Sequence, residues 1–298
     1  MTVAEPLARA RRRAILLVLA AAATFVVASA LVKALAGAVP LAQVIFFRNV
    51  FALPLLLAMA MAAGGLGLLR PRQPAMHLQR AAFGLMGMVG AFHGFTHLPL
   101  ATATALGFTM PLFLTALSVL LLGERVGWRR WTAVAVGFAG VLVIARPGGT
   151  EGGLPALSVG LVLLGALGWA LAMMSIRRMG DAGESGVAIV VWFAVAASVA
   201  SGLATIPVWT PPSATQWALL TGIGLVSAVA QLLMTEAYRR GETTLLAPFE
   251  YSGIVWTSLL GILIWAEWPD GWDLLGFAVL VGAGLFIWWR ETRLGVRR

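Results

Sequence analysis

Arg48, Glu236 and Glu250 are ionisable residues set within or beside long apolar runs, in FFRNVFALPLLL, MTEAYRR and LLAPFEYSG. A charge in such surroundings is costly unless it faces a cavity or a partner, so each is a functional candidate. Arg48 stands roughly seven residues, about 10 Å, into its run. Its guanidinium can hold a carboxylate through two parallel hydrogen bonds; it can equally bond helix-end carbonyls or an acidic neighbour. A glutamate in a low-dielectric cavity can exchange a proton near neutral pH or hold an ammonium group. Glu236 has a plainer alternative, because Arg239 and Arg240 lie within one turn of it.

Other residues suit recognition. His93 can titrate near physiological pH, or simply hydrogen-bond near a helix end; His77 and His97 read as interfacial. Gln231 is the most central amide, able to recognise a substrate or to bridge helices. Trp169, Trp192 and Trp256 fall inside apolar runs, whereas the other tryptophans suit interfacial belts. Trp169, Trp192, Trp256, Phe249 and Tyr251 can stack on a flat or apolar group of a ligand, or pack against lipid. The substrate-binding candidates are therefore Arg48, His93, Trp169, Gln231, Glu236, Glu250, Tyr251 and Trp256. Pro54, Pro111 and Pro248 each remove a backbone donor, which frees the carbonyls of Val50, Gly107 and Thr244 for water or substrate where they line a cavity. These prolines and Gly107 are hinge candidates.

Catalytic chemistry finds no footing. Three scattered histidines without HExxH spacing give no metal site. The GESG stretch at 183–186 lacks the GxSxG spacing of a serine hydrolase, and no phosphate-binding P-loop is present. We expect no enzyme, no metal and no cofactor. With no cysteine in the chain, disulfides are excluded.

The elements that must position these residues are membrane helices. The 298 residues are 60% hydrophobic and only 11% charged, with mean hydropathy +0.91, far from the roughly 25% charge of soluble domains. Ten apolar stretches near 14–35, 41–63, 77–96, 101–122, 129–145, 156–178, 186–207, 215–238, 244–266 and 272–289 approach the ~20 residues that cross a bilayer as a helix. Runs such as AILLVLAAAATFVVASALV lack the period-two alternation of a membrane β-barrel. The first run follows Arg9 and Arg11–Arg13 as a signal peptide would, but it is too long and contains Lys33.

The net charge of +9 is distributed asymmetrically. With the N-terminus cytoplasmic, nearly every lysine and arginine outside the spans falls on the inner side, Arg80 included, and Arg146 alone falls outside. That is the positive-inside pattern, with both termini cytoplasmic. It assigns the basic charge to topology and lipid headgroups instead of nucleic acid.

A shift of about 144 residues superposes the two halves in sequence order. Glu124 falls on Glu267, Trp128 on Trp272, Gly140 on Gly284, Arg146 on Arg290 and Lys33 on Arg177. The chain divides into 1–149 and 150–298, five spans each. An odd number of spans turns the second copy upside down in the bilayer. The expected fold is an all-α polytopic membrane protein of ten transmembrane helices in two inverted five-helix repeats. Glu124 and Glu267 close the same corner in both copies and read as corner caps or hinge elements. Glu236 and Glu250 have no acidic counterpart in the first copy, which marks them for function.

Lys33 with Pro40, FFRNVFALPLLL with Arg48, LPLATATALGFTMPLFLTALSVLLLGER ending at Glu124 and Arg125, and VAVGFAGVLVIARP follow one another in order. On these the chain resembles the drug/metabolite transporter superfamily, in its EamA-type ten-helix branch that includes amino acid exporters. In the second half Ile254 stands where Pro111 would recur. The resemblance implies inner-membrane secondary transport of small metabolites, often amino acid export, by alternating access. It also implies a central cavity lined by spans one to four and six to nine. The expected partners are a small-molecule substrate and membrane lipids, with a proton as candidate coupling ion; the oligomeric state stays open between monomer and homodimer. Import of a nucleoside-like or vitamin-like compound on the same fold is the alternative.

Overall fold

A computed structural model describes residues 4–122, 127–146, 153–240 and 249–294, with side chains except at 4–11, 118, 121–122, 130, 177, 235–236, 238–240 and 290–294. Among the described residues there is no strand. The helices are α1 (Ala4–Ala34), α2 (Leu41–Ala63), α3 (Pro74–His97), α4 (Leu100–Gly107), α5 (Met110–Leu122), α6 (Trp128–Ala145), α7 (Ala156–Asp181), α8 (Gly186–Thr205), α9 (Ala214–Arg240), α10 (Ser252–Trp265) and α11 (Gly271–Leu294). Seven stretches are long and apolar enough to cross a membrane, and Trp131–Ala145 and Ser252–Trp265 are shorter apolar helices. The chain is a multi-pass membrane protein. α3 has the length, 24 residues, but carries His77, Arg80 and His93.

Local sequence explains the ends. Pro40, Pro99 and Pro155 stand immediately before α2, α4 and α7 in extended backbone, and Pro74 opens α3, where a missing N–H leaves no helical bond unmade. α2 stops at Gly64, whose φ of 142° suits a residue without a Cβ. The N–H of Gly65 then bonds the carbonyl of Ala60.

Two spans depart from what hydropathy alone implies. The fourth span is two helices, because the chain turns at Phe108–Thr109, with Thr109 bonding the Leu106 carbonyl through both its N–H and its hydroxyl. Pro111 is therefore the second residue of α5 instead of an interruption within a helix, and Gly107 ends the preceding α4. Pro54 does lie inside α2. In the ninth span Tyr251 forms a turn between the helical residues Phe249–Glu250 and α10, so Glu250 stands beside a break; residues 244–248 of this span lie outside the described ones. Glu124 and Pro248 lie outside the described residues.

Helices pair with a regular plan. α1 runs along α9, α3 along α7, α2 on α8, α6 on α11 and α4 on α10; α1 also meets α10, as α7 meets α4 and α5. Exchanging each span with the one five further along turns α1–α9 into α7–α3 and α1–α10 into α7 against α4 and α5. The α2–α8, α4–α10 and α6–α11 pairs map onto themselves. The packing thus has the two-fold pattern that a repeated five-span unit produces.

Lipid supplies no hydrophobic drive between helices, so close packing must hold them together. Glycines permit it. A Cβ at Gly90 of α3 would collide with the Leu161 carbonyl and with Gly165 of α7, and one at Gly168 would meet the backbone of Gly87 at 2.9 Å. Gly140 and Gly276 do the same for α6 and α11.

Candidate functional site

Arg48 projects from α2 into the bundle. Its side chain is partly buried between the helices. Its Nη1 meets Asn49 Oδ1 at 3.2 Å and Met88 Sδ of α3 at 3.9 Å. Asn49 is itself tied down, donating to the Ile45 carbonyl at 2.8 Å. Neither contact neutralises the guanidinium, and no carboxylate pairs with it among the described residues.

A second arginine shares this region. Arg80 of α3 is 8% exposed, and its Nε and Nη1 are buried without a hydrogen-bond partner. Phe193 of α8 lies 4.4 Å beneath the guanidinium carbon, a cation–π contact that softens the loss of water without cancelling the charge. Gly84 makes room for it, since a Cβ there would collide with Arg80 Nη1 and with the Phe193 ring. Met88, which Arg48 touches, and Phe193, on which Arg80 rests, belong to one packed cluster with Ile45, Ala81 and Ala197. From sequence alone Arg80 reads as a topology-setting charge at the membrane edge. Its position only two turns into α3 gives no sign that the side chain folds inward over a glycine.

At the same end of α3 lies Glu184, and it is already engaged. Its Oε1 accepts the backbone N–H groups of Arg72 and Gln73 at 2.7 and 2.8 Å, and Oε2 lies 3.5 Å from His77 Nε2. Burial pushes the Glu184 carboxyl up, but those N–H donors and His77 outweigh it and leave the carboxyl below its ordinary value. Glu184 thereby caps α3, and His77 is a buried neighbour of this cap instead of the interfacial residue expected. Trp192 donates to the Leu69 carbonyl at 2.7 Å, reinforcing the same junction.

At the opposite end three distant segments meet. Lys33 Nζ lies 2.7 Å from Glu267 Oε1 and donates to the Leu98 carbonyl at 2.8 Å, while Glu267 Oε2 accepts the N–H of Leu100 at 2.9 Å. The carboxylate so caps α4, and the Lys33 ammonium lies 5.5 Å from the Trp265 ring centre. This latch joins the end of α1, the α3–α4 corner and the α10–α11 corner. Lys33 is held inward instead of reaching for water. Beside it Arg146 pairs with Asp270 at 2.7 Å and Asp273 at 3.6 Å. The Asp270 carboxyl is lowered by the Asp273 backbone N–H, despite partial burial, and by Arg146.

The remaining candidates scatter. His93 Nε2 lies 3.1 Å from Ser158 Oγ and its ring stacks on His97 at 3.9 Å, a tie between α3 and α7 near the Glu267 end. Tyr251 packs on Phe108 at 4.9 Å, with its hydroxyl against Gly284 of α11, which points it away from the arginines. Trp169 and Trp256 are 38% and 39% exposed. Gln231 lines a recess of about 30 Å³ with Leu56 and Val190, the size of one water. Gly107 closes α4, and a Cβ added there would meet nothing within 4 Å. The Glu236 side chain lies outside the described ones. A recess of about 320 Å³ between α2, α3, α7 and α8 is lined by Ile45, Met86, Leu164 and other apolar groups.

Comparison with known proteins adds what geometry cannot. The pattern of the EamA-like transporter family matches residues 12–146 and again 156–289. The chain is 33% identical over 269 residues to the pseudopaline exporter CntI of Pseudomonas aeruginosa, covering 90% of this chain and 93% of that one. It is 29% identical over 256 residues to an S-adenosylmethionine uptake transporter of Rickettsia felis, covering 86% and 85%. It is 33% identical over 248 residues to a riboflavin transporter of Rhizobium johnstonii, covering 83% and 79%. A solved structure with 22% identity matches at a TM-score of 0.66 over 97% of this chain and 99% of that one, a likeness of fold.

Proposed function

Because the chain belongs to the EamA-like transporter family, we propose that it is a secondary transporter of the cytoplasmic membrane, exporting small carboxylate-bearing metabolites, amino acids foremost, by alternating access. Small-molecule transport is the family's activity, and the named relatives are transporters and not enzymes. The observation that carries the finer reading is Arg48, a guanidinium partly buried within the bundle, touching Asn49 and Met88, with no acidic partner among the described residues. In a low-dielectric site a carboxylate gains more from such a group than it would in water.

Orientation follows from the basic residues, with both termini cytoplasmic and the Glu267 end external. The latch of Lys33 and Glu267 then closes the external side. The two halves are read as inverted repeats over 1–149 and 150–298, supported by the double family match and the two-fold packing. Under that relation Glu124 and Arg177 are the sequence counterparts of Glu267 and Lys33. Glu250 and Glu236 are the groups available to carry a coupling proton. Import is the second reading, favoured by relatives named for uptake of S-adenosylmethionine.

Counterflow of labelled amino acids in proteoliposomes, at two internal pH values, tests the proposal. Saturable exchange is expected, reduced at least tenfold by Arg48→Ala and sensitive to Glu250→Gln. Unchanged exchange in both variants, or flux linear in solute concentration as through a channel, removes it.

A further inference from the structure

We propose that Arg48 and Arg80 together bind one organic anion carrying two acidic groups, so that the cargo is a small dicarboxylate or a carboxylate–phosphate and not a simple monocarboxylate. This rests on the transport reading above and assigns the substrate class of the same site. Arg80 provides the independent observation. A guanidinium 8% exposed, with two buried N–H donors unmet, is strongly unfavourable in a membrane bundle unless something anionic completes it. Among the described side chains no such group is present: Glu184 is committed to the start of α3 and His77, and no other described carboxylate pairs with either arginine.

The two guanidiniums also act on each other. Arg48 lies close enough for its charge to bear on Arg80, and the side chains meet a common cluster through Met88 and Phe193. Two like charges held together in low dielectric without counter-ions form a site poised for a doubly charged anion. Gly84 and Phe193 fix the Arg80 fork, and Asn49 and Met88 steady Arg48, so both forks are organised before ligand arrives. Arginine in this role suits both carboxylate and phosphate oxygens.

Counterflow in proteoliposomes loaded with L-glutamate, succinate or 3-phosphoglycerate, each carrying two anionic groups (the dianion of its pair) and matched against its counterpart with one anionic group, L-glutamine, butyrate or glycerate, tests the assignment. The wild type is expected to exchange at least one of the dianions tenfold or more faster than its counterpart, the glutamate and succinate arms marking carboxylates and the third marking phosphate. Arg80→Gln is expected to raise the KM for that dianion at least tenfold and so to remove most of its preference over the counterpart, with Arg80→Lys restoring part of the preference. Should either variant fold poorly, thermal unfolding of the wild type in detergent decides: the dianion raises the midpoint and its counterpart does not. Equal exchange and equal thermal shifts for both members of every pair overturn the dianion site, and the monocarboxylate reading survives if Arg48→Ala still abolishes exchange. Absence of exchange and of thermal shift with all six compounds overturns both.

Discussion

Ionic contacts at the two ends of the bundle differ in what they do to a single residue. Glu184 is buried and accepts two backbone N–H bonds, so its ionised form is favoured in the folded protein. Because its folded value lies below the unfolded one near 4.5, its contribution is complete above that pH and is lost as pH falls through the lower value. Glu184→Gln should therefore lower the unfolding midpoint at pH 7 by about 3–6 °C, with the difference from wild type shrinking below pH ~4.5. A constant difference across that range would contradict the cap. Glu267 is partly exposed, which places its pair with Lys33 between the ~1 kcal/mol of a surface pair and the ~3–5 kcal/mol for breaking a buried one. A contact of that size biases a conformation without locking it. Arg48 and Glu267 are both legible as candidates in the sequence, one from its depth in an apolar run and one from the repeat. Arg80 is not, because a charge near a helix end looks the same whether it faces headgroups or folds inward. Lys33 cannot be matched to Glu267 either, since only tertiary contact joins residues so far apart in the chain.

Helix contacts obey the same logic at larger scale. α3 and α7 approach until their backbones nearly touch at Gly90 and Gly165, and that approach sets where Met88 and Arg80 stand relative to α2 and α8. Gly90→Leu should push the pair apart and lower the midpoint of unfolding in detergent by several degrees, in line with overpacking costs of about 1–3 kcal/mol. Gly107→Ala makes the contrast, because nothing stands within 4 Å of the added methyl. It should leave the midpoint within about 1 °C while slowing transport, if the α4–α5 break acts as a hinge; an unaltered transport rate would exclude the hinge. Hydropathy suffices to place most helices, including α2 and α8, since lipid demands continuous apolar runs. The break at Phe108–Thr109 escapes it, because both sides of the turn are apolar and the helix restarts at once. The turn at Tyr251 escapes for the same reason.

At the scale of the whole molecule the family pattern matches twice along the chain and the main helix pairs exchange under a two-fold operation, an arrangement from which the proposed alternating access can be built with one structural element used twice. Closure at the Glu267 end should then be coupled to opening at the Glu184 end. The absence of cysteine permits spin labels to be placed by pairs of introduced thiols, Ala36→Cys with Trp268→Cys at one end and Leu120→Cys with Asp181→Cys at the other. The decisive measurement is the distance distribution of each pair, by electron–electron resonance in lipid nanodiscs, with the latch intact and with Lys33→Met and Glu267→Gln combined. Loss of the latch should lengthen the Ala36–Trp268 distance and shorten the Leu120–Asp181 distance together. Distances that stay fixed at both ends, or that lengthen at both, would contradict alternating access governed by this latch.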